Sequence, residues 1–180
     1  MTYHPFDIEG ADRPARWLVT CDHATNTVPP FVNGGTLGLA EAEMGRHIAH
    51  DVGAAGVARE LARQLDAPFI GTNFSRLVID PNRGEDDPTL VMKLYDGTII
   101  PANRHADRAE IERRLNRCYR PYHTALAELA ARRPDTVIVS IHSFTRQLRG
   151  HAPRPWHMGV LYAADRRLSR PVVDCLRTDP

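Results

Sequence analysis

Short apolar runs alternate with longer helical patterns along most of the chain. Trp17–Cys21 and Pro68–Gly71 are short apolar runs, and Thr136–Ile141 is a continuous β-branched run. Runs of this length are typical of strands, and the last one is predicted to be buried on both faces. Weaker patterns predict further strands at Ser75–Ile79 and His157–Tyr162.

Between these runs, apolar residues recur at helical spacing. This spacing predicts helices over Glu41–Leu65 and Asp107–Ala131, and a last helix at Arg166–Leu176. Gly53 is expected to weaken the first helix without ending it, and Pro121 should kink or split the second. Strands that alternate with helices predict the α/β class, with a mixed, mainly parallel sheet flanked by helices.

The domain organisation is predicted from length and from the chain's end. A chain of 180 residues suits one domain, in which residues 84–104 form a long polar loop that could act as a lid. The chain stops at Asp179-Pro180, directly after the last predicted helix. We therefore expect a single domain over residues 1–180 that is truncated at its C-terminus.

Composition excludes several classes of protein. The apolar share of 42% and the charged share of 25% are ordinary for a globular protein. No apolar run approaches the ~20 residues that span a bilayer, and the acidic first nine residues lack a signal-peptide pattern. Three widely spaced cysteines predict neither a disulfide framework nor a zinc ribbon. The prediction is a cytoplasmic protein without a membrane partner.

The net charge of +1 hides an asymmetry between the two parts of the chain. The first 100 residues hold 8 basic and 14 acidic residues, and the last 80 hold 15 and 8. Nucleic-acid binding would need the arginines on one face with interleaved aromatic side chains. We instead expect the two parts to neutralise each other, with no nucleic-acid partner.

Candidate metal ligands follow the two best-defined strands. Trp17–Cys21 leads into Asp22 and His23, and Thr136–Ile141 leads into His142. Ligand sites in α/β sheets form at the carboxyl ends of strands, so the two imidazoles could meet across one crevice. Imidazole is a common zinc ligand, although a lone histidine after a strand is more often only hydrogen-bonded. The matching positions favour a metal site without excluding two structural histidines.

A segment rich in arginine supplies a second candidate site. It contains Arg76, Asp80, Asn82 and Arg83. Guanidinium groups bind carboxylates through two parallel charge-assisted hydrogen bonds, so this segment suits a substrate with a free carboxylate, with Asp80 orienting one arginine. A surface salt-bridge cluster is the competing explanation.

Four segments together resemble the N-formylglutamate amidohydrolase family. They are CDHATNTVPP at 21–30, HIAHDVGA at 47–54, SRLVIDPNR at 75–83 and SIHSF at 140–144. That family is similar to the zinc carboxypeptidases and to the aspartoacylase group. The resemblance therefore implies a three-layer, zinc-carboxypeptidase-like α/β fold.

The resemblance also implies roles for single residues. His23 and His142 match the first and last metal ligands of those enzymes. Asn82 and Arg83 match an Asn-Arg pair that grips the substrate carboxylate, and Arg76 falls near a further arginine. The implied cofactor is zinc or another divalent transition metal.

The third ligand departs from the pattern of the related peptidases. They place a glutamate where this chain has Asn26, and an amide is a poor zinc ligand. Asp51, within the HIAHD segment, is the candidate because a carboxylate is the better donor. Helix capping, or support of a ligand histidine, explains Asp51 equally well.

The implied activity is hydrolysis of an N-formyl or N-acyl amino acid with a free carboxylate, a small-molecule substrate. The related mechanism needs a late glutamate as general base, and no matching motif precedes Pro180. Glu128, on a predicted helix surface, is not a convincing substitute. We expect the base to lie beyond Pro180, and the sequence does not indicate an oligomeric state.

Two other functions are compatible with these residues. A non-catalytic small-molecule-binding homologue would keep the pocket and lack the base. A cysteine hydrolase would use Cys21 and His23, which would share one face of a strand. Cys21 lies inside an apolar run, however, and is expected to be buried.

Overall fold

A computed structural model describes residues 3–178, which fall into two compact units, one ending at Thr145 and one beginning at Arg146. The strands are β1 Phe6–Glu9, β2 Trp17–Cys21, β3 Phe69–Thr72, β4 Leu94–Tyr95, β5 Thr98–Ile99 and β6 Val137–Ser140. The helices are α1 Glu41–Met44, α2 Ala54–Gln64, α3 Pro101–Arg104, α4 Arg108–Arg114, α5 Arg120–Ala131 and α6 Ser169–Thr178, with a π-helical segment at Leu115–Tyr119.

The first unit is built on a four-stranded mixed sheet with the strand order β1-β3-β2-β6. β2 runs parallel to both β3 and β6, and β1 runs antiparallel to β3. Parallel pairing brings the carboxyl ends of β2, β3 and β6 to one edge of the sheet. The predicted α/β class with a mixed sheet flanked by helices is confirmed.

Helices cover both faces of this sheet. Alternate side chains of a strand point to opposite faces, so Leu18 joins a core that includes side chains of the π-helical segment and α5, whereas Val19 joins a second core beneath α2. α2 fits closely because it buries small side chains at four-residue spacing: Ala54, Ala58 and Ala62.

The predicted helix over Glu41–Leu65 is wrong in its middle. α1 ends at Met44, and turns occupy residues 45–53 before α2 begins. Gly53 is the N-cap of α2 with a φ of 79°, a left-handed conformation that glycine adopts without steric cost. Gly53 therefore starts a helix instead of weakening one, and the break before it leaves Asp51 in a loop.

The helical pattern over Asp107–Ala131 is confirmed with an interruption. The Asp107 side chain accepts a hydrogen bond from the Glu110 N–H at 2.8 Å and caps α4. The π-helical segment then separates α4 from α5. Pro121 lacks an N–H and its ring crowds the preceding turn, so the wider π turn just before it explains why the chain stays helical.

Two strand predictions for the later part of the chain are wrong. The prediction that β6 is buried on both faces fails because Ile138 is 50% exposed. β6 lies at the end of the strand order with one neighbour among the described strands, and the helices that cover the rest of the sheet leave its Ile138 side exposed. His157–Tyr162 is not a strand, and its apolar side chains are exposed, Leu161 at 95%.

Residues 75–79 form turns where a strand was predicted. The Val78 N–H donates to the Ser75 carbonyl at 2.8 Å, which closes a turn. The predicted polar loop over residues 84–104 also contains structure, since β4 and β5 form a hairpin followed by α3. Asp96 and Gly97 both have positive φ at its tip, the conformation of a two-residue hairpin turn.

The second unit, as far as residue 178, contains α6 and a long stretch without strands. Its exposed apolar side chains include Trp156 and Met158. Across residues 3–178, no helix combines the length and the apolar character needed to span a lipid bilayer.

A buried arginine fastens the first unit together. Arg114 is fully buried, and its Nη1 donates to the Val78 carbonyl at 2.8 Å and to the Asn103 side-chain oxygen at 2.7 Å. Its Nε donates to Glu110 at 2.8 Å. Asn103 in turn donates to the Leu77 carbonyl at 2.7 Å, so α4 holds the turn of residues 75–79 in place.

Replacing Arg114 by methionine should destabilise the fold. The change leaves buried oxygen acceptors without their donor, which costs about 3 kcal/mol of the free energy of unfolding. Urea denaturation of the purified protein measures this loss. The neighbouring Arg113 is half-exposed, so Arg113→Met should cost less than about 0.5 kcal/mol. Similar losses for the two variants would contradict the fastening role of Arg114.

Candidate metal centre

Two histidines meet where β2 and β6 end. These strands pair in parallel with Thr20 opposite Ser140, so His23 and His142 leave the sheet side by side. Their ring centroids are 5.1 Å apart. His23 is 2% exposed and His142 is 32% exposed, so one imidazole is in the core and the other opens to solvent. The predicted meeting of the two imidazoles is confirmed.

The carboxylate of Asp51 lies between these rings. Its Oδ2 is 3.4 Å from Nδ1 of His23 and 2.8 Å from Nδ1 of His142. The same oxygen accepts a hydrogen bond from the Ser143 N–H at 3.3 Å. The loop before α2 holds Asp51 in this position because the Asp51 N–H donates to the His23 carbonyl at 3.0 Å.

The three side chains have a geometry that suits a metal ion. One ligand atom each from His23, Asp51 and His142 lies within 4.8 Å of the other two. Tetrahedral zinc with ligands at about 2.0–2.1 Å separates its ligand atoms by roughly 3.3 Å. The two nitrogen–oxygen distances of 3.4 and 2.8 Å fall on either side of that value.

Asp80 and Arg76 extend the cluster on the His23 side. Oδ1 of Asp80 lies 2.8 Å from Nε2 of His23, and Arg76 donates to Oδ2 at 2.8 Å. The other terminal nitrogen of Arg76 is 3.6 Å from Asp51. Backbone bonds fix this arrangement, since the Ala49 carbonyl accepts from the Arg76 N–H at 3.2 Å. The prediction that Asp80 orients an arginine agrees with this contact.

Asp22 extends the cluster on the His142 side. Its Oδ2 lies 3.5 Å from Nε2 of His142 and accepts a hydrogen bond from the Ser140 hydroxyl at 3.3 Å. Its Oδ1 accepts a hydrogen bond from the hydroxyl of the buried Tyr122. Sequence reasoning missed Tyr122 and Ser140 because their positions match ordinary helix-core and strand patterns.

The carboxylates stabilise positive charge on both rings. Hydrogen bonds to Asp22 and Asp51 raise the pKa of His142 to about 9. Burial lowers the pKa of His23, but hydrogen bonds to Asp51 and Asp80 outweigh it, so the pKa of His23 is raised. A site that favours protonated imidazoles in this way has an excess of negative charge.

The same contacts keep the carboxylates ionised. Burial alone would raise the pKa of Asp51, but hydrogen bonds from His142 and His23 hold it well below its usual range. Burial would also raise the pKa of Asp80, but the hydrogen bond from His23 outweighs burial and lowers this pKa to about 2. Burial would raise the pKa of Asp22 as well, but hydrogen bonds from His142 and Tyr122 lower it below its usual value.

The formal charges of this cluster match a divalent cation. Three ionised aspartates and the guanidinium of Arg76 leave two negative charges around two neutral imidazoles. Two protons or one divalent cation would neutralise them. The residues present therefore fit a metal such as zinc in charge as well as in donor type.

Asn82 and Arg83 lie next to the cluster in the chain but point outward. The Asn82 N–H donates to Oδ1 of Asp80 at 3.0 Å, and both side chains are exposed. The guanidinium of Arg83 is 45% exposed and lies 4.0 Å from Asp87. Arg76 is only 13% exposed and already bonds to Asp80. The two predicted substrate arginines are therefore in different environments.

The other residues considered as ligand, nucleophile or base lie outside the cluster or are buried in the core. The Asn26 side-chain nitrogen donates to the Met44 carbonyl at 2.9 Å. Cys21 is fully buried within β2, and burial raises the pKa of its thiol to about 12. A thiol that stays protonated is a weak nucleophile, which argues against the cysteine hydrolase. Glu128 is exposed on α5.

A family model and two solved structures match this chain. The model of the family described as FGase, N-formylglutamate amidohydrolase, matches residues 15–180. A gene product of Agrobacterium tumefaciens of known structure is 33% identical, with a TM-score of 0.91 over 97% of this chain and 70% of that one. An N-formylglutamate amidohydrolase from Ralstonia eutropha JMP134 is 25% identical, with a TM-score of 0.62 over 84% of this chain and 63% of that one. A search of curated proteins finds no match.

Alanine at either histidine should remove bound metal. Elemental analysis of protein purified without chelator should find about one divalent transition metal per chain, and His23→Ala and His142→Ala should each lose it because two ligands hold an ion poorly. His105 is exposed on the surface, so His105→Ala should retain the metal. Full metal content in both His23→Ala and His142→Ala would exclude this centre.

Proposed function

This chain belongs to the N-formylglutamate amidohydrolase family, and on that premise we propose that it is a metal-dependent hydrolase of N-formyl or N-acyl amino acids with a free carboxylate. The observation that carries the proposal is the convergence of His23, Asp51 and His142 at the carboxyl edge of the sheet. The same convergence is compatible with a zinc-carboxypeptidase-like arrangement. The proposal keeps the cytoplasmic location expected from composition and the small-molecule substrate that the family implies.

Within this proposal, His23, Asp51 and His142 hold zinc or another divalent transition metal. When bound, such an ion supplies Lewis acidity, which lowers the pKa of water and polarises an amide carbonyl. The exposed ring of His142 gives a substrate access from solvent, while the buried ring of His23 keeps that side of the centre dry. Asp51 sets the spacing of the two rings.

In this proposal Arg83 and Arg76 contribute to substrate binding in different ways. Arg83 has an exposed guanidinium with only a distant acid, Asp87, at 4.0 Å, so it is available for a substrate carboxylate. Arg76 is held by Asp80 and contributes mainly its positive charge beside the reacting centre. Asn82 is exposed beside Arg83 and can donate its side-chain amide to the same group. Fixing the carboxylate would fix the scissile amide against the metal.

The general base in this proposal is a group other than the carboxylates of the centre. Asp22, Asp51 and Asp80 each already accept hydrogen bonds from at least two protein groups. A carboxylate committed in this way is poorly placed to take a proton from water and pass it to the leaving amine.

Turnover of N-formylglutamate tests the proposed function directly. Release of free glutamate should require the divalent metal, should stop when a chelator removes it and should fall at least about 10²-fold in His142→Ala. His105→Ala should keep the wild-type rate. Metal and ligand binding without turnover would instead support a non-catalytic small-molecule-binding homologue.

Arg83→Ala should raise KM for acidic N-acyl amino acids by roughly 10- to 150-fold, the range expected from losing one charged hydrogen bond. Arg76→Ala should raise it less, because Arg76 is already paired. Initial rates over a range of substrate concentrations measure both effects. Arg104→Ala, at an exposed position of α3, is the control. Equal turnover of substrates with free and amidated α-carboxylates would contradict the role of Arg83.

A further inference from the structure

A turn next to the centre carries the two exposed side chains proposed for substrate binding. It begins at Asp80, whose Oδ1 lies 2.8 Å from Nε2 of His23. The same oxygen accepts a hydrogen bond from the Asn82 N–H at 3.0 Å, and the Asp80 carbonyl accepts one from the Arg83 N–H at 3.2 Å. Asp80 therefore ties one side of the turn to the centre, while the side chains of Asn82 and Arg83 are exposed.

Two side chains from a neighbouring helix bind the other side of the same turn. The Tyr119 hydroxyl donates to the Arg83 carbonyl at 2.6 Å. Nε2 of His123 lies 3.0 Å from the Pro81 carbonyl, and because a carbonyl oxygen only accepts, the ring nitrogen donates. The carbonyls before and after Asn82 are thus both held from the helix.

The spacing along the helix explains why these two donors act together. Tyr119 ends the π-helical segment and His123 follows four residues later in α5, so both side chains lie on one face. Their ring centroids are 4.3 Å apart. Burial, with the charges of Glu85 and Asp80 adding to its effect, raises the pKa of Tyr119, so its hydroxyl keeps the proton that it donates. Single π-helical turns are frequent at functional sites.

Arg120 adds a third attachment between α5 and this part of the chain. Its guanidinium donates to both carboxylate oxygens of Glu85, at 3.0 and 2.7 Å. An exposed ion pair contributes little stability on its own, but this one ties the chain to the helix two residues beyond Arg83. Residues 81, 83 and 85 are therefore all attached, which limits how far the backbone that carries the Arg83 side chain can move.

We propose that Tyr119 and His123 are positioning residues for binding of the substrate carboxylate. By fixing the carbonyls on both sides of Asn82, they hold the Asn82 amide and the Arg83 guanidinium in place beside the metal centre. Holding these groups before the substrate arrives reduces the conformational entropy that binding would otherwise cost. The inference rests on the proposed function, in which Asn82 and Arg83 bind the carboxylate.

Steady-state kinetics with N-formyl-L-glutamate test this role through two variants that each remove one donor. Tyr119→Phe removes only the hydroxyl, and His123→Phe removes the nitrogen but keeps an aromatic ring against Tyr119. Each should raise KM roughly 2- to 10-fold, the range expected from losing one neutral hydrogen bond, with kcat within about twofold of the wild type. Metal content should stay at the wild-type level, because these hydrogen bonds go to the turn.

Two further variants separate positioning from a general loss of packing. His123→Gln keeps an N–H donor and should have a KM closer to the wild type than His123→Phe has. Tyr3→Phe is the matched control, since the Tyr3 hydroxyl contacts Cys118 of the same π-helical segment at 3.6 Å, and it should leave KM unchanged. Wild-type KM in both Tyr119→Phe and His123→Phe would overturn the inference, as would loss of bound metal in either.

A double variant tests whether Tyr119 acts through Arg83. In an Arg83→Ala background, Tyr119→Phe should change KM by less than about twofold, because the charged group that it positions is gone. In the wild-type background, a substrate with an amidated α-carboxylate should be equally insensitive to Tyr119→Phe. Additive effects of Tyr119→Phe and Arg83→Ala would overturn the inference.

The same variants distinguish failure of this inference from failure of the proposed function. A raised KM in Arg83→Ala, with wild-type KM in Tyr119→Phe and His123→Phe, would overturn this inference alone. An unchanged KM in Arg83→Ala would overturn the carboxylate-binding role of Arg83, and this inference with it. If the metal-loaded protein binds N-formyl-L-glutamate without turnover, the dissociation constant from calorimetry replaces KM in each comparison.

Discussion

The parallel pairing of β2 with β6 is the constraint on which the candidate centre depends. Thr20 lies opposite Ser140 in this pairing, so the residues that follow the two strands leave the sheet together. A shift of one residue would turn the side chains of β6 to the other face and would separate His142 from His23. The backbone register of one strand pair therefore decides whether two histidines far apart in sequence can share a ligand.

Charge determines how the rest of the centre is arranged around these rings. Three aspartates surround two imidazoles and one guanidinium, and each carboxylate bonds to a histidine or lies beside one. Burying this much negative charge is unfavourable unless it is paired. Buried anchors such as Tyr122 and Arg114 hold the acidic loops in place, so the core on the α5 side supports the site as well as the fold.

The sequence predicted those parts of the fold that depend on local pattern. β2, β3 and the helices around Pro121 follow from apolar spacing, and His23 and His142 follow from their positions after strands. Patterns that tertiary contacts override were predicted less well. The exposed face of β6 depends on its position at the sheet end, and the turn at residues 75–79 depends on bonds to the Ala49 carbonyl.

The choice of Asp51 illustrates the same limit within the site. The sequence pattern predicted a helix through Asp51. In the structure α2 begins only after Gly53, which leaves Asp51 in a loop where its carboxylate lies between the rings. Tyr122 gave no signal at all, since a tyrosine on an apolar helix face is usually a core residue. Polar contacts between segments distant in sequence carry no periodicity that one sequence could reveal.

Anomalous diffraction from crystals grown with zinc tests the central claim most directly. Data collected on both sides of the zinc absorption edge should give a strong peak between His23, Asp51 and His142, with one ring nitrogen of each histidine and one Asp51 oxygen at about 2.0–2.2 Å from it. A fully occupied zinc peak elsewhere on the chain, with both histidines still hydrogen-bonded to Asp51, would contradict the account.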